Sequence, residues 1–511
     1  MSDWTSGYVA DVGYTHGYYP ELNPLRVKLA FLNAGLVCPD FGTACELGFG
    51  QGVSANVHAA ASISRWFGTD FNPSQAAYAQ ELTRASGADA QLSDVSFLEF
   101  CARVDLPGFD YIGLHGIWSW ISDENRAVIV DFIRRKLKVG GVLYASYNTL
   151  PGWSAFAPIR HLMTEHADVV GSDGKGIISR VTDAISFADA LMATNPAYLR
   201  ANPQIAERIT GLKSQNHNYL AHEYFNRDWH PMHFATMADW LAPAKVTYAC
   251  SANYLDHVDV ANLTKDQQAF LAELPDLMFR QSVRDFMVNQ QFRKDYWVKG
   301  PRTLTPLDRF EGLRAIRVVL TTHRPDVPLK ATGALGEVSM SEAIYSPILD
   351  QLADHKPHSL GKLEAALTSI GITLSQILEA CLLLSGVGHL WIVQEDQAIS
   401  KARKTSDRLN GHLIGKARSS NDTTVLSSPV TGGGITVGRF QQLFVLGVGQ
   451  GKKTPEDLGR FAWQILAAQG QKILKEGAAL ETNDENLAEM TAQAEVFCIK
   501  QLPVLRALQI V

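Results

Sequence analysis

Residues 43–70 constrain this chain more than any other stretch. Thr43-Ala44-Cys45-Glu46-Leu47 reads as a strand, Gly48-Phe49-Gly50-Gln51-Gly52 as a turn, and the Ala-rich run after it as a helix. Trp66-Phe67-Gly68-Thr69 reads as a second strand, ending on Asp70. Gly48, Gly50 and Gly52 let a backbone turn tightly and approach a ligand closely. The following helix points its first N–H groups at the turn, a setting that suits an anion such as a carboxylate. Asp70 falls about 20 residues past the first glycine, where an acid of a nucleotide-binding sheet accepts hydrogen bonds from ribose hydroxyls. The spacing is G-x-G-x-G after Glu46, not the G-x-G-x-x-G of dinucleotide enzymes. The alternative is an α/β turn that binds nothing.

The rest of the first 300 residues extends this pattern. Strands are predicted at 88–92, 109–115 and 142–147, separated by helices from about 73, 97 and 126. Such alternation implies a parallel sheet with right-handed crossovers, and ligands then sit beyond the carboxyl ends of the strands. Asp94, His115 and Tyr147 all fall at those ends. The Asp94 carboxylate suits the exocyclic amine of an adenine, or else caps the helix that begins near Phe97. Strands at 246–250 and 292–298 are read as the last two of the same sheet. Tyr8, Tyr14, Tyr18, Tyr19 and His16 precede the sheet, as a strap over an apolar surface or a flap over a ligand. The cofactor candidates are therefore Glu46, Gly48, Gly50, Gly52, Asp70, Phe71, Asp94, Val95, His115, Tyr14 and Tyr18.

The acid-and-glycine motif resembles motif one of the class I S-adenosylmethionine-dependent methyltransferases. His115-Gly116-Ile117-Trp118-Ser119-Trp120 and Ser146-Tyr147-Asn148-Thr149-Leu150-Pro151-Gly152-Trp153 resemble the bacterial members that carry a methyltransferase regulatory domain. The best-known of these are rickettsial protein lysine methyltransferases acting on outer-membrane proteins. His222-Glu223-Tyr224, Arg284-Asp285-Phe286 and Gln291-Phe292-Arg293 extend the resemblance, which covers roughly residues 10–300 well and the C-terminal third loosely. Phe49 and Val53-Ser54 depart from the family pattern. The resemblance implies S-adenosylmethionine as cofactor and a protein side chain as acceptor, a lysine amine first. It implies a cytoplasmic enzyme that meets a surface or outer-membrane protein before export. Trp118, Trp120 and Trp153 are expected to wall the acceptor pocket, Tyr147 and Asn148 to orient the amine, and His115 to take a proton. Each has a plainer alternative in packing. Two other functions stay open: methylation of a small molecule or glycan, and a cofactor-binding regulator.

The expected architecture is α/β: a Rossmann-like, seven-stranded methyltransferase sheet with a helical insertion, plus a C-terminal, mainly α domain with a winged-helix-like part. Residues 1–153 and 241–300 are assigned to the cofactor-binding catalytic domain and 154–240 to a helical regulatory or acceptor-side insertion. Residues 301–400 form a middle domain with the winged-helix-like module, and 401–511 a linker and helical region. Residues 404–436 read as polar and loop-like. The C-terminal third is expected to be a recognition surface, leaving residues 1–300 able to fold and bind cofactor alone. The net charge of −6 argues against a nucleic-acid partner. No apolar run is long enough to span a membrane. Met1-Ser2-Asp3-Trp4 lacks the pattern of a signal peptide. The six cysteines are scattered, without a C-x-x-C pair, and read as buried thiols. His217, His222, His230 and His233 match no compact metal-ligand spacing, so no metal is expected.

Overall fold

The computed structural model describes Tyr8, Gly13 and residues 15–511. Tyr14 lies outside the described residues. Seven strands form one sheet: β1 (Thr43–Leu47), β2 (Arg65–Thr69), β3 (Ala90–Ser93), β4 (Phe109–Leu114), β5 (Leu137–Asn148), β6 (Val246–Ser251) and β7 (Phe292–Lys299). Their order is β3-β2-β1-β4-β5-β7-β6. All pairings are parallel except those of β7, which runs antiparallel to both β5 and β6. The chain winds outward from β1 to β3, then returns to lay β4 on the other side. The crevice between β1 and β4 is therefore the switch point where ligands of such sheets bind. β5 is longer than expected because Gly140 and Gly141 carry the strand on instead of ending the preceding helix.

Helix α1 (Leu25–Asn33) leads into the sheet. Helix α2 (Val53–Ala61) starts at Gly52 and is buried along its whole length. Helix α3 (Pro73–Ser86) follows β2, with Asn72 as its side-chain cap and Gly87 in the left-handed conformation at its end. Between β5 and β6 the chain inserts a bundle of helices with its own core around Trp153, Phe156, Ile185, Ile209 and Leu220. Three helices, Glu342–Gln351, Leu360–Leu367 and Leu374–Gly386, lie beside a three-stranded antiparallel sheet centred on Arg317–Leu320.

The loop expected at 404–436 is instead mostly regular. A 21-residue helix runs over Asp396–Lys416, followed by a hairpin of Val425–Ser428 and Gly433–Thr436. Its polarity misleads because two polar side chains sit on the buried face with partners. Asn410 Nδ2 donates to the Ser427 carbonyl at 2.8 Å and Asn410 Oδ1 accepts from Ser427 N at 2.7 Å. Ser406 Oγ reaches the Ala60 carbonyl at 3.1 Å. Paired in this way, buried polar groups cost little.

That helix and hairpin cover the back of α2. Gln394 Nε2 donates to the Ala61 carbonyl at 2.7 Å and Thr405 Oγ1 to the Ala60 carbonyl at 2.7 Å. Val53, Val57 and Leu82 share one apolar core with Leu409, Leu413, Leu426 and Leu443. The C-terminal third therefore packs directly against the helix that follows the glycine turn. Each uncovered valine or leucine forfeits about 1.5–3 kcal/mol of burial. A fragment ending near residue 300 is expected to be insoluble. Soluble yield of the fragment beside the full chain checks this, and equal yields would refute it.

Candidate functional site

The turn after β1 is shaped by geometry that only glycine satisfies. Gly48, Gly50 and Gly52 have φ of 73°, 56° and 67°. A Cβ on Gly48 would stand 2.6 Å from Ile117 Cγ2, and one on Gly52 would stand 2.5 Å from Ala79 Cβ. Gly48 N donates to the Thr69 carbonyl at 2.8 Å, which locks the turn to the end of β2.

Asp70 sits at that end, buried. Its Oδ2 accepts from Gly50 N at 2.8 Å and its Oδ1 from Asn72 N at 3.1 Å. Burial pushes its carboxyl up to about 6, against the pull of these two N–H groups. Glu46, at the end of β1, is pushed further, to about 8, by burial and by the neighbouring Asp70. Its Oε2 is buried with no hydrogen-bond partner. A buried acceptor without a donor is costly unless a donor arrives from outside. Two desolvated carboxyls beside a glycine turn fit a nucleoside that brings ribose hydroxyls and an ammonium group.

Asp94 is exposed, and its carboxylate has no hydrogen bond among the described residues. It does not cap the next helix. Ser96 does so, in a reciprocal capping box with Glu99. Asp94 is thus left open beyond β3. The Val95 carbonyl accepts from Thr69 Oγ1, tying β2 to the same loop. Phe71 meets the ring of Tyr8 edge-on at 5.5 Å, and Tyr8 lies 5.5 Å from the His222 ring. Tyr8 therefore bridges the acid end of β2 and the inserted helix His217–Tyr224.

Tyr18 does not join them. Its hydroxyl accepts from Gly434 N at 2.7 Å and pairs with His58 Nε2 at 3.1 Å. Those bonds fix it in the joint with the C-terminal hairpin, behind α2. Tyr19, one residue on, stacks on His115 with ring centres 3.9 Å apart. His115 Nδ1 pairs with the Tyr144 hydroxyl at 2.8 Å, and burial lowers the imidazole to about 4. Burial would raise the nearby Glu21, but the Lys294 ammonium at 2.5 Å holds it at about 2.

On the acceptor side the structure separates residues that the sequence groups. Trp118 is fully buried beside Trp240, with ring centres 6.4 Å apart, and belongs to the core under β5. It walls no pocket. Trp120 and Trp153 pack in the core of the helical insertion. Trp120 Nε1 donates to the Glu223 carbonyl at 3.3 Å. The Arg208 guanidinium lies 4.0 Å from the Trp153 ring centre. Tyr147 is also fully buried, and its hydroxyl donates to Asp295 Oδ2 at 2.8 Å. It holds a framework acid and is not free to orient an amine. Asn148 differs. Its backbone is fixed by Ser119 Oγ and Met232 N, while its side-chain Nδ2 is buried without a partner.

Glu223 carries part of the family resemblance in the sequence, but no site role is assigned to it there. It lies on the helix His217–Tyr224, and its carboxylate has no hydrogen bond among the described residues. Burial pushes it up to about 7. Tyr8, whose ring contacts Phe71 beside Asp70 and His222 beside Glu223, is raised by burial and by both carboxylates, so the two acids lie on either side of one ring. The four histidines of this segment disperse. His222 meets Tyr8, His217 pairs with Thr182 Oγ1 at 3.0 Å, His230 approaches Asp228 at 3.4 Å, and His233 stacks on Phe286.

Residues 216–299 match a family model described as "Predicted methyltransferase regulatory domain". The matched range holds the end of the helical insertion together with β6 and β7. An uncharacterised protein of Synechocystis sp. is 38% identical over 512 residues, 99% of this chain and 99% of the relative. A protein of Rickettsia prowazekii is 26% identical over 343 residues, 64% of this chain and 59% of the relative. The fold is similar to that of PKMT2 from Rickettsia typhi, solved in complex with AdoHcy. The TM-score is 0.69 at 18% identity, over 97% of this chain and 99% of that one. Glycine turn, switch-point sheet, regulatory segment and full-length relationship together establish that the chain belongs to the class I S-adenosylmethionine-dependent methyltransferases that carry a methyltransferase regulatory domain.

Proposed function

We propose that this chain transfers a methyl group from S-adenosylmethionine to a protein side chain, with a lysine amine as the acceptor. When bound, S-adenosylmethionine supplies a methyl activated on a sulfonium. Asp70 would take the ribose hydroxyls, Glu46 and the glycine turn the amino-acid end, and Asp94 the adenine amine. The chain's remaining task is to align the acceptor, remove its proton and exclude water.

The observation that carries the amine acceptor is Glu223, a desolvated and unpaired carboxylate across the Tyr8 ring from Asp70. A carboxylate in that setting is complementary to an ammonium and can accept its proton. A hydroxyl acceptor would need a stronger base. His115 is a poor one, because burial lowers it to about 4 and Tyr144 occupies its Nδ1. The Asn148 amide, unpartnered at the end of β5, is placed to hold the acceptor. The acceptor polypeptide would be a surface or outer-membrane protein met before export, in keeping with the rickettsial resemblance.

Glu223→Gln is expected to lower kcat by about 100-fold or more, the range of one acid–base group, and Asn148→Ala to lower it as well. Cofactor affinity should stay within a few-fold. Normal turnover with weakened cofactor binding would place both residues on the wrong side of the site. Mass spectrometry of a lysate treated with the protein and isotopically labelled cofactor identifies the acceptor. Label confined to glycans or small molecules would overturn the reading.

A further inference from the structure

We propose that a second pocket, within the regulatory segment, binds a small molecule carrying an oxyanion such as a carboxylate or phosphate. The cavity holds about 420 Å³ at the carboxyl end of β6. Its lining residues all fall between Tyr248 and Asp295, inside the range of the regulatory-domain match. In the sheet, β4, β5 and β7 separate β6 from β1. Four strand spacings make about 19 Å, so this pocket is not the cofactor crevice.

Two guanidinium groups carry the assignment. Arg280 and Arg284 lie one turn apart on the helix Leu277–Met287 and both line the cavity. Arg280 donates only to backbone, from Nε to the Leu274 carbonyl at 2.5 Å and from Nη2 to the Ala272 carbonyl at 3.3 Å. Arg284 Nη2 donates to the Asp256 carbonyl at 3.2 Å. Neither has a carboxylate within ion-pair distance among the described residues.

Two of the three acids of the pocket, Asp256 and Asp295, are engaged by other donors. Asp256 Oδ2 accepts from Ser251 Oγ at 2.7 Å and Oδ1 from Asn253 Nδ2 at 3.1 Å. Asp295 is paired with Arg293 at 2.8 Å, and Arg293 also with Asp285 at 2.6 Å. The third, Asp259, is exposed to solvent. Each planar guanidinium keeps further N–H donors beyond these bonds, of the kind that pair with the oxygens of an anion. The volume is that of a small-molecule site.

The pocket also touches both supports of residues 147–152. Asp295 holds the Tyr147 hydroxyl. The Gln290 carbonyl accepts from Thr149 Oγ1 at 3.0 Å and from Gly152 N at 3.0 Å. A bound anion therefore steadies the segment that carries Asn148.

Citrate and inorganic phosphate serve as probes for the full chain, titrated calorimetrically against chloride at equal ionic strength. Saturable binding is expected for at least one probe. In the double variant Arg280→Gln/Arg284→Gln it should weaken at least tenfold, with S-adenosylmethionine affinity within twofold as the control for folding. Hydrogen exchange should slow in peptides covering 147–152 when the probe binds. Absence of saturable binding to either probe, equal binding by the double variant, or unchanged exchange at 147–152 would each overturn the proposal. If the double variant loses its fold, the conservative Arg280→Lys replaces it, with a smaller loss of affinity expected and none refuting the site.

Discussion

Asp70→Ala is expected to weaken S-adenosylmethionine binding about 30- to 900-fold, or about 2–4 kcal/mol. On the proposed reading, the residue's value lies in two charge-assisted bonds to a ribose. Its own support comes from Gly50 N and Asn72 N, which fix both oxygens in the ligand-free chain. Asp70→Asn keeps one acceptor oxygen and loses the charge, so an intermediate loss is expected. The wild-type protein provides a second reading of the same group. With the free carboxyl at about 6, ligand bound to the ionised form must expel a proton below that pH. Affinity should therefore fall as pH falls, by about tenfold from pH 7 to pH 5. That tenfold is the share of Asp70 alone; Glu46, at about 8, adds a further fall of about 90-fold over the same range and extends the rise in affinity toward pH 8. Calorimetry across this range checks both points, and a flat profile with unchanged Asp70→Ala affinity would remove Asp70 from the site.

Arg293→Ala is expected to be the most damaging single substitution outside the cofactor site, at about 3–5 kcal/mol. Its guanidinium lies in the core between Asp285 and Asp295, with both acids almost fully buried. Removing the cation leaves two desolvated carboxylates facing one another, and releases Tyr147 from a fixed partner. The sign of the pH response follows from the acids. Burial raises Asp285 to about 6 and raises Asp295 as well, above the range of an unfolded chain. A raised carboxyl contributes stability below its unfolded pKa of about 4 and loses it as pH rises through about 6. Without Arg293 that loss should deepen. The variant is expected to unfold at lower urea at pH 8 than at pH 5.5, by a wider margin than the wild type. A margin equal to that of the wild type would show that the ion cluster is not the cause.

The cofactor half of the molecule was legible in the sequence because its signals are local. Glycine spacing, an acid at a strand end and two-sided apolar strands each lie within about 30 residues of one another. All seven strands, and the positions of Glu46, Asp70 and Asp94, follow from them. What the sequence hid depends on partners far along the chain. Trp118 and Tyr147 stand at strand ends like true site residues. Only Trp240 and the Arg293–Asp295 pair, more than a hundred residues later, show that they belong to the framework. Tyr18 sits among aromatic residues that suggest a flap, yet its partner is Gly434. Glu223 was in view, but its role was not. The His222-Glu223-Tyr224 stretch marks the family without naming a role for its acid, which emerges only when Tyr8 bridges that helix to the end of β2. The 404–436 region misled because buried polar residues count as exposed until their partners are known.

Burial of α2 on every side has a consequence for how the protein is made. The glycine turn is complete once the first 70 residues have left the ribosome, but the wall that closes α2 is not. Thr405 reaches the Ala60 carbonyl across 345 positions of the chain. At about 5–20 residues per second, synthesis of that interval takes about 20–70 s. Throughout it, Val53, Val57 and Leu82 lack their final neighbours. The nascent N-terminal half is therefore a natural client for a chaperone that shields apolar helices, and stalling translation before residue 396 should leave it bound there.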